Sequence, residues 1–221
     1  MNRFKYNISL GCNCSPRAYL CHTNKAGESH VFDVTSISMW AVNELLANKF
    51  DGFLDQGQIE KMVMFNGSGG KIFTQKKYYV RLLHEFDNTK EEITIEKFME
   101  FKEKYGRRCK RLLDLFMTGG TILFWRLEEI MDNRIMYDEY KDKFARGELD
   151  ELKKFSQFMK TTYPKVQFAV IYLSFCEGLD YDADNKIITL PTPKSMTYDN
   201  CKQVINEIVT SNIDFINKSI G

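Results

Sequence analysis

Two apolar runs constrain this chain more than any other feature. Residues 121–127 (TILFWRL) and 166–175 (VQFAVIYLSF) are continuous in hydrophobicity, not alternating. A strand apolar on both faces has to be covered on both faces. Between the runs lie a charged stretch, 128–147, and a helical pattern, 148–161, which Pro164 stops. Parallel neighbours cannot be joined by a tight turn, so strand, helix, strand at this separation predicts a βαβ unit. The expected fold class is therefore α/β: a central mixed, partly parallel sheet with helices on both faces.

The remaining segments fit around that unit. Residues 6–10 (YNISL) are rich in β-formers and end at Gly11, which predicts a further strand of the same sheet. Pro16 then suits the first turn of a helix with Ser15 or Cys14 near its cap, running to about Cys21. Ser36 is placed to cap a second helix with Ile37, Trp40, Val42, Leu45 and Leu46 as its apolar stripe. Residues 62–65 and 71–75 flank NGSGG, a hairpin signal, and 76–83 (KKYYVRLL) predict another strand ending at His84. The hairpin insertion spans roughly 58–83. A helical pattern at 91–117 ends at Gly119-Gly120, 186–190 predict a short strand, and 198–219 predict an amphipathic helix. At 221 residues with 43% hydrophobic content, a single α/β domain over 1–221 is expected.

Charge and motif content narrow the function. Thirty-one basic and thirty acidic residues leave a net charge of +1, so no global field draws the chain to nucleic acid or to an anionic membrane. The N-terminus lacks the apolar run of a signal peptide and no run is long enough to span a bilayer. The expectation is a soluble, cytoplasmic protein with no membrane insertion. Six cysteines without a signal then read as reduced thiols. Cys12, Cys14, Cys21, His22 and His30 contain enough nitrogen and sulfur for zinc, but their spacing does not match the common pairs, so no metal is expected. The Gly-rich 66–70 lacks the Lys-Ser/Thr ending of a phosphate loop, and no cofactor is expected.

Open α/β sheets bind ligands outside the carboxyl ends of their strands. Cys12 and Cys14 follow one such end, Arg126 sits at a second and Cys176 follows a third. Cys14 is the stronger thiol candidate, because a helix N-terminus stabilises a thiolate; Cys12 falls in the turn before the cap. A thiol nucleophile needs a base and a group to orient it. His84 closes a strand and is followed by Glu85 and Asp87, whereas His30 lies beside Val31-Phe32 and would line the site. The basic run Arg107, Arg108, Lys110, Arg111 is mostly a solvated face, with one or two arginines able to take an anionic group.

Ser9-Leu10-Gly11-x-x-Cys14, then Phe32-Asp33, then a helix ending in Leu45-Leu46-x-x-x-Phe50, resembles the opening of a family of putative papain-like cysteine peptidases. The likeness runs on through His84-Glu85-Phe86, the helix with Tyr105-Gly106-Arg107-Arg108 and the strand with Leu123-Phe124-Trp125-Arg126. The family usually reads Pro-Phe-Asp-Trp where this chain has Val31-Phe32-Asp33-Val34. The resemblance implies a thiol-dependent hydrolase or transferase with Cys14 as nucleophile, His84 as base and Asp87 or Asp33 as third member. It also implies an alternative fold, a papain-like α+β core of helix on antiparallel sheet. Two other functions stay open. One is a non-thiol α/β transferase for a glycan or phosphate-bearing donor, with Arg107, Arg108 and Arg126 holding the anion. The other is a binding module without chemistry.

Overall fold

The two apolar runs lie side by side. The computed structural model describes residues 3–33, 35–63, 71–82, 84–128, 142, 147–176, 178–197 and 199–221. In it, β5 (Gly120–Leu127) and β6 (Val166–Ser174) pair in parallel, from Gly120 opposite Val166 to Leu127 opposite Leu173. On the outer side of β5 runs β1 (Tyr6–Ser9), also parallel. On the far side of β6 runs β8 (Ile187–Pro191), parallel again, and β7 (Asp180–Asp182) closes that edge antiparallel to β8. The sheet order is thus β1-β5-β6-β8-β7. A separate antiparallel sheet holds β2 (Ile59–Val63), β3 (Lys71–Gln75) and β4 (Val80–Arg81). The fold is α/β; the antiparallel core of the papain-like alternative does not describe the main sheet.

The period of two in a strand explains why the runs are apolar throughout. Ile122, Phe124, Phe168 and Val170 face one core, shared with α2 (Met39–Ala47), α3 (Ile95–Thr118) and α4 (Glu148–Thr162). Leu123, Trp125, Ala169 and Ile171 face the other, under α1 (Ser15–His22), α5 (Cys201–Ser211) and α6 (Ile213–Ile220). Fully burying each such side chain contributes about 1.5–3 kcal/mol, so both layers are needed to hold β5 and β6 in place. The crossover helix α4 carries Glu148, Asp150 and Glu151 in its first turn and Lys160 in its last, the arrangement the helix dipole favours. Its Phe155 meets Phe124 edge-on at 5.0 Å.

Several boundaries differ from expectation for local reasons. The cap of α2 is Ser38, because Ser36 is drawn into a β-bridge with Arg81, each N–H donating to the other's carbonyl. Only Val80–Arg81 of the 76–83 run is strand. Lys76–N–H donates to the Gln58 carbonyl, Tyr78–N–H to Gln75 Oε1, and Tyr79 takes a positive φ of 52°, so the segment turns. Helix α3 starts at Ile95 because Thr94 Oγ1 caps the Lys97 amide. The C-terminal helix is two, α5 and α6, broken at Asn212, whose side chain donates to the Ile208 carbonyl. The NGSGG turn and most of 128–147 lie outside the described residues. Among the described residues no helix is long and apolar enough to cross a membrane.

Candidate functional site

The turn between β1 and α1 is built on two successive left-handed residues, Gly11 at φ 80° and Cys12 at φ 77°. Gly11 N–H donates to Ser9 Oγ at 3.1 Å, which folds the chain back on the strand end. A Cβ on Gly11 would meet Ile37 Cγ2 at 2.4 Å and the Phe32 carbonyl oxygen at 3.4 Å. Glycine is therefore what lets the 32–37 segment lie on this turn. Cys12 adopts its conformation with a side chain, at a cost of about 1–3 kcal/mol for a non-glycine residue there. Such strain is retained where the surroundings fix it, and functional sites are where it gathers.

Cys14 follows as the N-cap of α1 and is half-buried. The first turn needs little from it. Ser15 N–H donates to Asn13 Oδ1 at 2.8 Å, Pro16 has no N–H, and the Cys14 carbonyl accepts from Ala18. The amide left in that turn to face a ligand is that of Arg17.

A crevice of about 260 Å³ opens at the carboxyl ends of the strands, walled by Cys12, Asn13, Ser15, Ser36, Arg81 and Glu128. Glu128 is held from β6: its Oε2 accepts from Ser174 Oγ at 2.8 Å and from Phe175 N–H at 2.5 Å. The Cys12 thiol donates to the Glu128 carbonyl at 3.6 Å. Burial lowers the Arg81 pKa, which the nearby Tyr79 and Cys12 oppose, and Arg81 Nε has no hydrogen-bond partner among the described residues. The crevice thus combines a thiol, a desolvated cation and an anchored carboxylate. Arg81 and Glu128 were not singled out from the sequence. Arg81 was hidden in a strand-like run. Glu128 follows the apolar strand by one residue, a place that the strand-end rule does cover.

The other sequence candidates are dispersed. His84 is exposed in the turn after β4, three residues beyond Arg81. Asp87 is exposed too, and its Oδ1 accepts from the amide and hydroxyl of Thr89. Asp33 is buried; its Oδ2 accepts from the His30 amide at 2.7 Å and pairs with Arg17 Nε at 3.4 Å. Burial outweighs these contacts and raises the Asp33 pKa to about 6. His30 is buried as well, and desolvation, with the Arg111 and Arg17 charges, lowers its pKa to about 4. Arg108 lies over the Tyr105 ring, 5.0 Å from its centroid. Arg126 is buried in the protein: Nε donates to Glu148 Oε1 at 2.5 Å and Nη1 to the Leu10 and Ile37 carbonyls at 2.8 and 2.9 Å. It ties the end of β1 and the start of α2 to α4. Among the described residues no three His, Cys, Asp or Glu side chains are grouped to hold a metal ion.

A mostly parallel α/β sheet with a thiol-bearing strand-to-helix turn and a polar crevice at its carboxyl ends places the chain in the α/β class. Within it, this chain belongs to the family described as putative papain-like cysteine peptidase (DUF1796), whose model matches residues 5–178. That span takes in β1 through β6 and most of the crevice wall. No curated protein and no solved structure matches the chain.

Proposed function

We propose that the protein is a thiol-dependent hydrolase or acyl-transfer enzyme with Cys14 as its nucleophile. Family membership supports a peptidase-like function. The observation that carries the assignment is the place of Cys14, a half-buried thiol at the N-cap of α1, directly after the strained turn that ends β1. There the helix dipole and the first-turn amides favour thiolate over thiol. The thiolate attacks a carbonyl carbon and the new C–S bond forms as the negative charge moves to oxygen. The Arg17 amide and the Arg81 guanidinium supply positive potential for that charge. His84 takes the Cys14 proton as the thiolate forms and passes it to the leaving group as the bond between that group and the carbonyl carbon breaks. Water or a second acceptor then takes the acyl group and returns the thiol. Asp33 or Asp87 is the orienting carboxylate in this reading.

A second reading exchanges Cys14 for Cys12, and its motive is specific: Cys12 has the left-handed backbone and lines the crevice beside Arg81. An activated ester separates the two. On mixing with p-nitrophenyl acetate, a burst of nitrophenol and an acetyl adduct on Cys14 are expected, with both lost in Cys14→Ala. An adduct on Cys12 favours the second reading. No burst, or an adduct spread over the exposed Cys21 and Cys176, overturns both.

A further inference from the structure

A second polar cluster lies between α1, the 27–33 segment and α3, and it is short of partners. Arg17 Nη2 donates to the Gly27 carbonyl at 3.0 Å, and Arg111 Nη2 to the Ser29 carbonyl at 2.8 Å. Arg111 Nη1 pairs with Glu28 on the rim at 2.9 Å. Five buried polar atoms of the cluster nevertheless have no hydrogen-bond partner: Arg17 Nη1, Arg108 Nη1, Arg111 Nε, His30 Nδ1 and Asp33 Oδ1. Leaving such a group buried and unpaired is unfavourable, and more so when it is charged. The charges are unbalanced as well. Three guanidiniums act on His30 and Asp33, against one buried carboxylate, Asp33, and one exposed, Glu28. Glu85 is taken up by the Tyr105 hydroxyl at 2.9 Å and by Lys104. A cavity of about 460 Å³ along the free edge of β1 borders the cluster at His30 and Arg111, with Tyr6 and Asn7 also in its wall.

We propose that Arg17, Arg108, Arg111, His30 and Asp33 form a receptor for a phosphate group that carries one proton. Guanidinium forks match the oxygens of a tetrahedral oxyanion better than any other side chain. The three unpaired guanidinium nitrogens face the unprotonated oxygens. His30 Nδ1 adds a fourth donor when that nitrogen carries the ring proton. Asp33 Oδ1 is an acceptor, and it takes the hydroxyl of the bound phosphate. An oxyanion without a hydroxyl, such as sulfate, would set a bare oxygen against that carboxylate, so the same atom selects for phosphate. Binding itself does not depend on the thiol chemistry proposed above.

Calorimetric titration of the full chain with inorganic phosphate and with sulfate, at pH 8 and matched ionic strength, tests the proposal. Asp33, with its pKa near 6, is ionised at that pH. Saturable phosphate binding is expected, with sulfate about tenfold weaker or worse, since a hydrogen bond to a charged group is worth about 1.5–3 kcal/mol. Arg111→Gln, at a partly exposed side chain, should weaken phosphate by about tenfold for the same reason. Asp33→Asn should remove the preference over sulfate, and Cys14→Ala should bind phosphate as the unaltered chain does. No saturable phosphate binding, equal affinity for the two ions, or unchanged binding in Arg111→Gln overturns the proposal.

Discussion

At the scale of the residue, His30 and Asp33 show burial acting on two groups in opposite senses. Burial favours the neutral form of each, lowering the pKa of the imidazole and raising that of the carboxyl. His30, near 4 in the fold against an ordinary 6.5, contributes stability that is whole above 6.5 and is lost as the pH falls toward 4. Asp33, near 6 against 3.8, contributes stability that is whole below 3.8 and is lost as the pH rises through 6. The two effects are opposite in sign and similar in size, on the order of 3 kcal/mol each, so the pair nearly cancels between pH 4 and 6. Urea unfolding across that window should find little slope from this pair in the unaltered chain. Asp33→Asn should lose stability on acidification from 6.5 to 4, and His30→Gln should lose it as the pH rises from 3.8 to 6. Parallel curves for the three proteins would contradict the account. His30, Asp33 and Arg108 could be singled out in the sequence. Arg17 could not, because a lone arginine in a short helix forms no pattern. Arg111 was read with the solvated face of α3, since spacing along one helix does not reveal a loop packed over it.

At the scale of the element, legibility followed the range of the forces. The βαβ unit of β5, α4 and β6 could be read because its signal is periodicity along ten or so consecutive residues. The start of α2 was misplaced because the partner that recruits Ser36 is Arg81, far along the chain. The tyrosines of 76–79 have high β-propensity, yet Gln75 bonds both to Tyr78 and to the Gly52 carbonyl, and this closes a turn. β7 escaped because a three-residue polar strand exists only through its pairing with β8. The turn from β1 to α1 was legible in outline, with Gly11 ending the strand and Pro16 in the first helical turn, but not in its left-handed geometry at Cys12. That geometry gives an element-level prediction. Gly11→Ala places a Cβ 2.4 Å from Ile37 Cγ2 at a φ of 80°, so the 32–37 segment must lift from the turn. A loss of about 1–3 kcal/mol is expected by thermal unfolding, together with slower acylation of Cys14. Unchanged stability and acylation would show that the turn does not depend on the close approach.

At the scale of the whole molecule, the two apolar layers fix β1, β5 and β6 in one register, and the thiol turn, Glu128 and Ser174 are carried to the same end of the sheet. Arg81 reaches that end from the second sheet through its bridge to Ser36. The fold class was legible because it follows from parallel pairing, and the same pairing opens a crevice at the carboxyl ends of the strands. The crevice's composition was not legible, since it joins residues from six separate stretches of chain. The thiol at the N-cap of α1 remains the centre of the account. The pH dependence of iodoacetamide alkylation, followed at each cysteine by mass mapping, tests it directly. Activated Cys14 should titrate below the ordinary thiol value of about 8.5 and react faster at pH 6.5 than the exposed Cys21 and Cys176. Alkylation of Cys14 no faster than of those two, with an ordinary midpoint, would contradict it.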